Sequence, residues 1–170
     1  MLMEFMGLHL PGSSFVPPNT PLRTALTKLA TKRALEITSL GKYFTPAYQI
    51  LDEKAFVNGI VGLMATGGST NLVLHLPAMA KAAGIKIELS DFDDISSVTP
   101  LMAKIYPNGL ADVNHFHAAG GLNYLIAQLL EYGYLHNDVQ TIMGLGLETY
   151  TKEPKLSLIH ISEPTRPLRI

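Results

Sequence analysis

The sequence predicts a helix-rich α/β fold, and three observations carry that prediction. Apolar residues recur at helical spacing from Leu22 to Ile37. The run Phe56–Met64 is apolar nearly all round, as in a buried helix. Between such stretches lie short segments that read as strands: Ile85–Leu89, which alternates, then Leu101–Tyr106 and, as a weaker third, Thr141–Met143. Helices alternating with short strands define the α/β class.

Met1–Met6 is apolar except for Glu4 and reads as a helix end closed by Gly7. Leu8–Phe15 is a loop with turn chemistry at Pro11-Gly12. Thr20 suits an N-cap and Pro21 the first helical position. The helix they open places Leu22, Ala25, Leu26, Leu29, Ala30, Ala34 and Ile37 on one side and is expected to end near Gly41. Asp52 and Glu53 favour the start of the next helix through its dipole. Within that segment Gly59 and Gly62 permit close packing, although periodicity alone leaves a core strand as the competing reading.

Leu72, Val73, Leu76, Met79, Ala80 and Ala83 mark a further helix, expected to bend at Pro77 and to close at Gly84. Ser90 is a candidate cap for a short helix carrying Asp91, Asp93 and Asp94. Pro107-Asn108-Gly109 reads as a turn. Val113–Tyr132 reads as mostly helical with a break at Gly120-Gly121. There is no internal repeat.

The bulk composition narrows the function classes. The chain has 170 residues, enough for one domain with a core. Only 16% are charged, against roughly a quarter in typical proteins, so part of the surface is expected to be covered. A net charge of −1 provides no electrostatic case for nucleic acid or an anionic membrane as partner. The absence of Cys excludes disulfides and thiolate metal ligands within these residues. No apolar run has the length of a membrane span, and Met1–Met6 is no signal peptide. The default expectation is a soluble, cytoplasmic protein.

The stretch Ala65-Thr66-Gly67-Gly68-Ser69-Thr70-Asn71 carries the most chemistry. Gly67 and Gly68 can adopt left-handed backbone angles, so the chain can turn sharply. Ser69 or Thr70 can cap the helix that follows. A bare helix N-terminus presents N–H donors and a positive dipole end, which suits a carboxylate or phosphate. The competing reading is a plain capped turn. No Lys follows the glycines, which argues against a P-loop, and no dinucleotide fingerprint surrounds them.

Leu156–Ile170 has no periodicity and resembles the in-frame translation of a sequencing adapter. It is set aside as a non-native tail, which leaves 1–155 as the native part and implies that the natural chain was cut.

Several motifs of that native part occur together. They are Leu10-Pro11-Gly12-Ser13, Leu51–Ile60, Gly67–Asn71, His75-Leu76 with Ala78, Asp91-Phe92, and His117-Ala118-Ala119-Gly120-Gly121. In combination they resemble the dihydroxy-acid and 6-phosphogluconate dehydratase family over roughly Met1–Pro154. Met3–Ser13 and Tyr106–Phe116 look like its phosphogluconate branch. The resemblance implies part of a three-layer α/β/α N-terminal, cluster-binding domain of a hydro-lyase. Such an enzyme removes water from a sugar acid, here 6-phosphogluconate in the Entner–Doudoroff route, to give a 2-keto-3-deoxy acid. In the family a 4Fe-4S cluster acts as Lewis acid on the C3 hydroxyl and a base takes the C2 proton. Hydroxide leaves poorly and the C2 proton is weakly acidic, so a polarising metal and dipoles at the carboxylate lower both barriers.

The departures from the family pattern define what this chain is expected to lack. The family holds its cluster through cysteines, and this chain has none. The resemblance places the last of those cysteines, the metal-binding carboxylates and the lysine upstream, and the catalytic serine in a downstream domain. Met1 is accordingly expected to be an internal methionine, and the chain an inactive section without catalytic or metal-ligating residues of its own. The cofactors of the complete protein would be the 4Fe-4S cluster, with a divalent metal as a further candidate. Its partners would be a sugar-acid phosphate, the missing remainder of its own chain and a second copy in a homodimer. Another sugar acid or dihydroxy acid is the alternative substrate within the family.

Candidate substrate-binding or site-supporting residues are Ser13, Ser14, Gly67, Gly68, Ser69, Thr70 and Asn71. His115 and His117 would face different sides of a helix and so form no metal pair there, whereas on a strand they could; packing or hydrogen bonding is the favoured role. His75 reads as an interior histidine. The acids at 91, 93 and 94 read as a capped first turn before they read as a cation site. Met1, Met3, Met6, Met64 and Met79 read as core filling. A non-enzymatic small domain, binding an anionic metabolite at the Gly67–Asn71 helix N-terminus, is the alternative function. It predicts a closed core, whereas a piece of a dehydratase predicts exposed apolar faces.

Overall fold

A computed structural model describes residues 1–106 and 108–152. The tail at 156–170 and Pro107 of the expected turn lie outside the described residues. Helices dominate: α1 (Leu2–Phe5), α2 (Pro21–Glu36), α3 (Ala47–Ile50), α4 (Glu53–Thr66), α5 (Asn71–Ala82), α6 (Leu89–Val98), α7 (Val113–Ala118) and α8 (Gly121–Glu131). The sheet among the described residues is one antiparallel hairpin, β1 (Gln140–Thr141) with β2 (Gly144–Leu145), and a 3-10 turn follows at Glu148–Thr151. None of the described helices is long and apolar enough to cross a membrane.

Helix α4 lies at the centre. Asp52 caps it, its carboxylate accepting from the Ala55 N–H at 2.8 Å. Gly67 ends it at φ 57°, and the N–H groups of Gly67 and Gly68 return to the carbonyls of Met64 and Leu63. The strand alternative for this segment is thereby excluded. One side of α4 packs Val61 and Ala65 with Phe5, Leu122, Ile126 and Leu129. The other packs Phe56, Ile60 and Leu63 with Leu2, Met6, Leu76 and Phe92. Its buried Asn58 donates to the His136 carbonyl at 2.9 Å and accepts from the His136 N–H at 2.8 Å. The paired bonds offset the desolvation of the amide and pin the 134–138 segment to α4.

The other departures from expectation have local causes. Helix α2 starts as expected, with Thr20 Oγ1 accepting from the Arg23 N–H at 3.2 Å, but ends at Glu36 rather than near Gly41. The carbonyls of Glu36 and Ile37 are taken by Tyr43 and Thr45, so the chain folds back there. Most of its apolar side is uncovered; Ala25 and Leu26 are buried, whereas Leu29, Ala30 and Ala34 are exposed.

Ile85–Leu89 is not a strand. Ile85 and Ile87 pack singly against the α4–α5 cluster, which accounts for the alternation without a neighbouring strand. Helix α6 then begins at Leu89, with Glu88 rather than Ser90 at its cap, and the Glu88 N–H donates to Asp91 Oδ2 at 2.8 Å. Among the described residues, Leu101–Tyr106 also lacks strand partners beyond a single bridge from Ile105 to Ala111. Its Met102 and Ala103 N–H groups both reach the Ala65 carbonyl, so it covers the end of α4. Thr141-Ile142-Met143 is the turn side of the hairpin, with only Thr141 inside a strand. The break at Gly120 is real, at φ 112°.

Gly59 and Gly62 let α1 lie directly on α4. A Cβ at Gly62 would sit 2.6 Å from Phe5 Cγ, and Phe5 is fully buried. At Gly59 the nearest atoms are the flexible end of Met6, at 3.1 Å. Gly62→Ala is therefore expected to cost about 2 kcal/mol of stability through overpacking. Gly59→Ala should cost less than half of that; urea midpoints of the two variants provide the comparison.

Asp112 caps α7, accepting from the N–H groups of His115 and Asn114 at 3.0 and 2.8 Å. These bonds, the His115 one foremost, hold its carboxyl below the usual aspartate value. A carboxyl depressed in the folded state stabilises fully above the unfolded value of about 3.8 and ceases to do so as pH falls through the folded value. Amide protection at Asn114 and His115 should accordingly be flat from neutral pH down to about 5, and fall only below about 3.8. Asp112→Ala should remove that transition.

Candidate functional site

The sharp turn from α4 into α5 creates the first candidate site. Gly67 supplies the left-handed residue, whereas Gly68 does not adopt positive φ. A Cβ at Gly68 would instead meet Leu63 Cδ1 at 2.9 Å. Ser69, not Thr70, supplies the side-chain cap, its Oγ accepting from the Asn71 N–H at 3.3 Å. Thr70 is already helical, at φ −58° and ψ −20°, and its side chain makes no cap bond. The backbone N–H groups of Ser69 and Thr70 have no acceptor among the described residues. Both residues are exposed. Asn108 Nδ2 donates to the Gly67 carbonyl and ties this turn to the 105–111 segment.

Gly67, Gly68, Ser69 and Thr70 line a cavity of about 590 Å³ whose wall includes Phe15, Ile105 and Tyr106. Phe15 meets Phe116 edge-on, with ring centroids 5.5 Å apart, which braces that wall. Asn71 lies outside this lining. Two free amides at the positive end of a twelve-residue helix can hold one carboxylate or phosphate oxygen pair.

Ser13 and Ser14 line a different cavity, of about 480 Å³, between the 8–14 loop and α2. The two sets of candidate residues therefore do not share one cavity, although Phe15, next to Ser14, reaches the wall of the other. Ser13 Oγ is committed to the Leu10 carbonyl at 2.7 Å. Ser14 Oγ is buried with no hydrogen-bond partner among the described residues. Arg23 donates through Nη2 to the carbonyls of Ser13, at 3.0 Å, and Val16.

The histidines lie elsewhere. His75 is exposed, not interior, because only Leu76 and Ala80 of α5 turn fully inward. His115 and His117 are exposed on α7, and no three His, Asp or Glu gather as a metal site among the described residues. Asp91 lies in the first turn of α6, where its carboxylate accepts from the N–H of the capping residue Glu88. Met6 is fully buried, and Met1, Met3, Met64 and Met79 pack against the cores.

Sequence reasoning missed Glu4. Its carboxylate is fully buried and accepts from the Gly12 and Ser14 N–H groups, each at 2.7 Å. It shapes the loop that carries Ser13 and Ser14. The available signal was an acid interrupting an apolar run just before a Pro-Gly-Ser-Ser loop rich in free donors. Glu4→Ala would leave two partly buried N–H groups without acceptors and is expected to cost about 2 kcal/mol. Glu4→Gln, which keeps one carbonyl oxygen, should recover roughly half of it. Urea unfolding, with hydrogen exchange at Gly12 and Ser14, measures both.

Residues 1–150 match the family model described as dihydroxy-acid/6-phosphogluconate dehydratase N-terminal. Phosphogluconate dehydratase of Rhizobium meliloti is 62% identical over 156 residues, which cover 92% of this chain and 26% of that protein. Phosphogluconate dehydratase of Escherichia coli K12 is 56% identical over 157 residues, with the same coverage. Dihydroxy-acid dehydratase of Caldanaerobacter subterraneus is 39% identical over 155 residues, 91% of this chain and 27% of that protein. The chain spans about a quarter of the length of these curated relatives. With nine-tenths of its residues aligned and a family model matched along 1–150, the chain belongs to the dihydroxy-acid/6-phosphogluconate dehydratase family, within its N-terminal part.

Proposed function

We propose that this chain is a section of a phosphogluconate dehydratase, the hydro-lyase that converts 6-phosphogluconate into 2-keto-3-deoxy-6-phosphogluconate. The observation that carries this reading is the gap in identity between the two branches. Phosphogluconate dehydratases reach 62% and 56%, whereas the dihydroxy-acid enzyme reaches 39% over the same stretch. The exposed apolar side chains support it as well. Leu35, Leu40, Phe44, Leu74, Leu110 and Leu145 all lie open, as surfaces awaiting the rest of an enzyme would, and unlike a small domain closed on itself. On this reading residues 1–155 are native and 156–170 foreign. The complete enzyme is a cytoplasmic homodimer of the Entner–Doudoroff route.

The family's iron–sulfur cluster does not fit the donors of this chain. Thiolates hold such clusters, and the chain has no Cys. No step through the cluster, or through a divalent metal, is assigned to these residues. Their share of the work is binding. The N–H groups of Ser69 and Thr70 receive the substrate carboxylate, and the α5 dipole favours its charge. Holding the carboxylate in that way makes the adjacent C2–H easier to remove by a base supplied from elsewhere in the enzyme.

The chain alone is expected to form no 2-keto-3-deoxy acid from 6-phosphogluconate. Grafted as residues 1–150 in place of the matching segment of the Rhizobium meliloti enzyme, it should support turnover of 6-phosphogluconate and not of a 2,3-dihydroxy acid. A chimera that folds and prefers the dihydroxy acid would overturn the assignment. In the active chimera Thr70→Pro, which removes one free N–H at a φ that proline accepts, should raise KM roughly tenfold. Thr70→Ala should change it less than about twofold.

A further inference from the structure

The cavity between the 8–14 loop and α2 has a charge pattern unlike the rest of the surface. Among the described residues its lining includes Arg23, Arg33 and His9 and no Asp or Glu. Ser13 and Ser14, with Thr27 and Thr31, add hydroxyl groups to the lining. Ser14 is the informative member. Its N–H points away to Glu4, while its Oγ is buried without a partner. A buried hydroxyl left unmatched calls for a partner that the protein does not supply.

The two guanidinium groups are held in place. Arg23 Nη2 is anchored on the Ser13 and Val16 carbonyls, which leaves its remaining donors without acceptors among the described residues. Arg33 donates through Nε to the Ile142 carbonyl at 2.5 Å and pairs with Glu36 at 3.3 Å. Pre-ordered guanidinium groups lose little freedom when they bind a planar or tetrahedral anion. Glu4 does not oppose such an anion from the lining, and its charge is met by two backbone donors on the far side of the loop. His9 is exposed as a residue. Its imidazole nonetheless titrates below the usual histidine value, through desolvation first and with Arg23 adding to it, against an opposing effect of Glu4.

We propose that this second cavity binds a phosphomonoester, with Arg23 and Ser14 as its principal donors and Arg33 as a flanking charge. It takes the phosphoryl end of a phosphorylated sugar acid, an assignment that rests on the reading under Proposed function. The phosphate site itself does not rest on it. A tetrahedral dianion suits the arrangement, because it accepts from a guanidinium fork and a hydroxyl at once.

The test is a titration of the isotope-labelled 170-residue chain with inorganic phosphate, 6-phosphogluconate and gluconate, followed by amide and imidazole resonances. Phosphate and 6-phosphogluconate should shift the Ser13, Ser14 and Arg23 signals and raise the His9 titration midpoint. Gluconate should leave these signals unmoved. Ser14→Ala removes a hydroxyl that bonds nothing in the structure, so the fold should be unchanged and phosphate should bind about fivefold more weakly. Arg23→Gln should weaken it by more than about tenfold. Phosphate that shifts only Ser69 and Thr70, or Ser14→Ala without effect on affinity, would overturn the site. Inorganic phosphate binding here while 6-phosphogluconate does not would overturn the substrate assignment and leave the branch assignment to the chimera.

Discussion

The close contact between α1 and α4 is the constraint on which the remaining architecture depends. Gly62 gives the ring of Phe5 room to lie against the helix, and Gly59 does the same for Met6. This contact places the two hydrophobic clusters on either side of α4, since Phe5 belongs to one and Leu2 and Met6 to the other. A larger residue at Gly62 would meet the buried Phe5 ring and push α1 away from α4, whereas at Gly59 the flexible end of Met6 can give way.

Helix α1 also connects packing to chemistry. Glu4 stands beside Phe5, and its carboxylate gathers the Gly12 and Ser14 amides. The following loop is tied to Arg23 of α2 through the carbonyls of Ser13 and Val16. A buried acid and a half-buried arginine thus act on opposite sides of one loop, and the cavity beside it inherits a positive rim. The other end of α4 has a parallel arrangement. There Gly67, Asn108 and the free amides of Ser69 and Thr70 form a second cavity with donors but no fixed charge. One cavity thus offers a helix dipole and free amides, and the other offers guanidinium groups.

Helix termini were the most legible features, because their signals are local. Thr20 with Pro21, Asp52 with Ala55, and Gly120 all act where the sequence places them. Alternation misled at 85–89. A period of two records that every second side chain is buried, and a helix surface can bury Ile85 and Ile87 as well as a sheet can. His75 was misjudged for a related reason, since an apolar helix need not be covered all round.

What the amino-acid order determined alone was the family, the helical segments and the residues of the glycine turn, all of which depend on neighbours within one or two turns of chain. The tertiary fold decided that Ser13 and Ser14 lie in a different cavity from Gly67–Thr70, and that Glu4 rather than any loop residue organises the first of them. Those outcomes depend on which buried donors meet which acceptors after α1 has settled on α4, and no local pattern encodes a meeting between segments brought together only by packing.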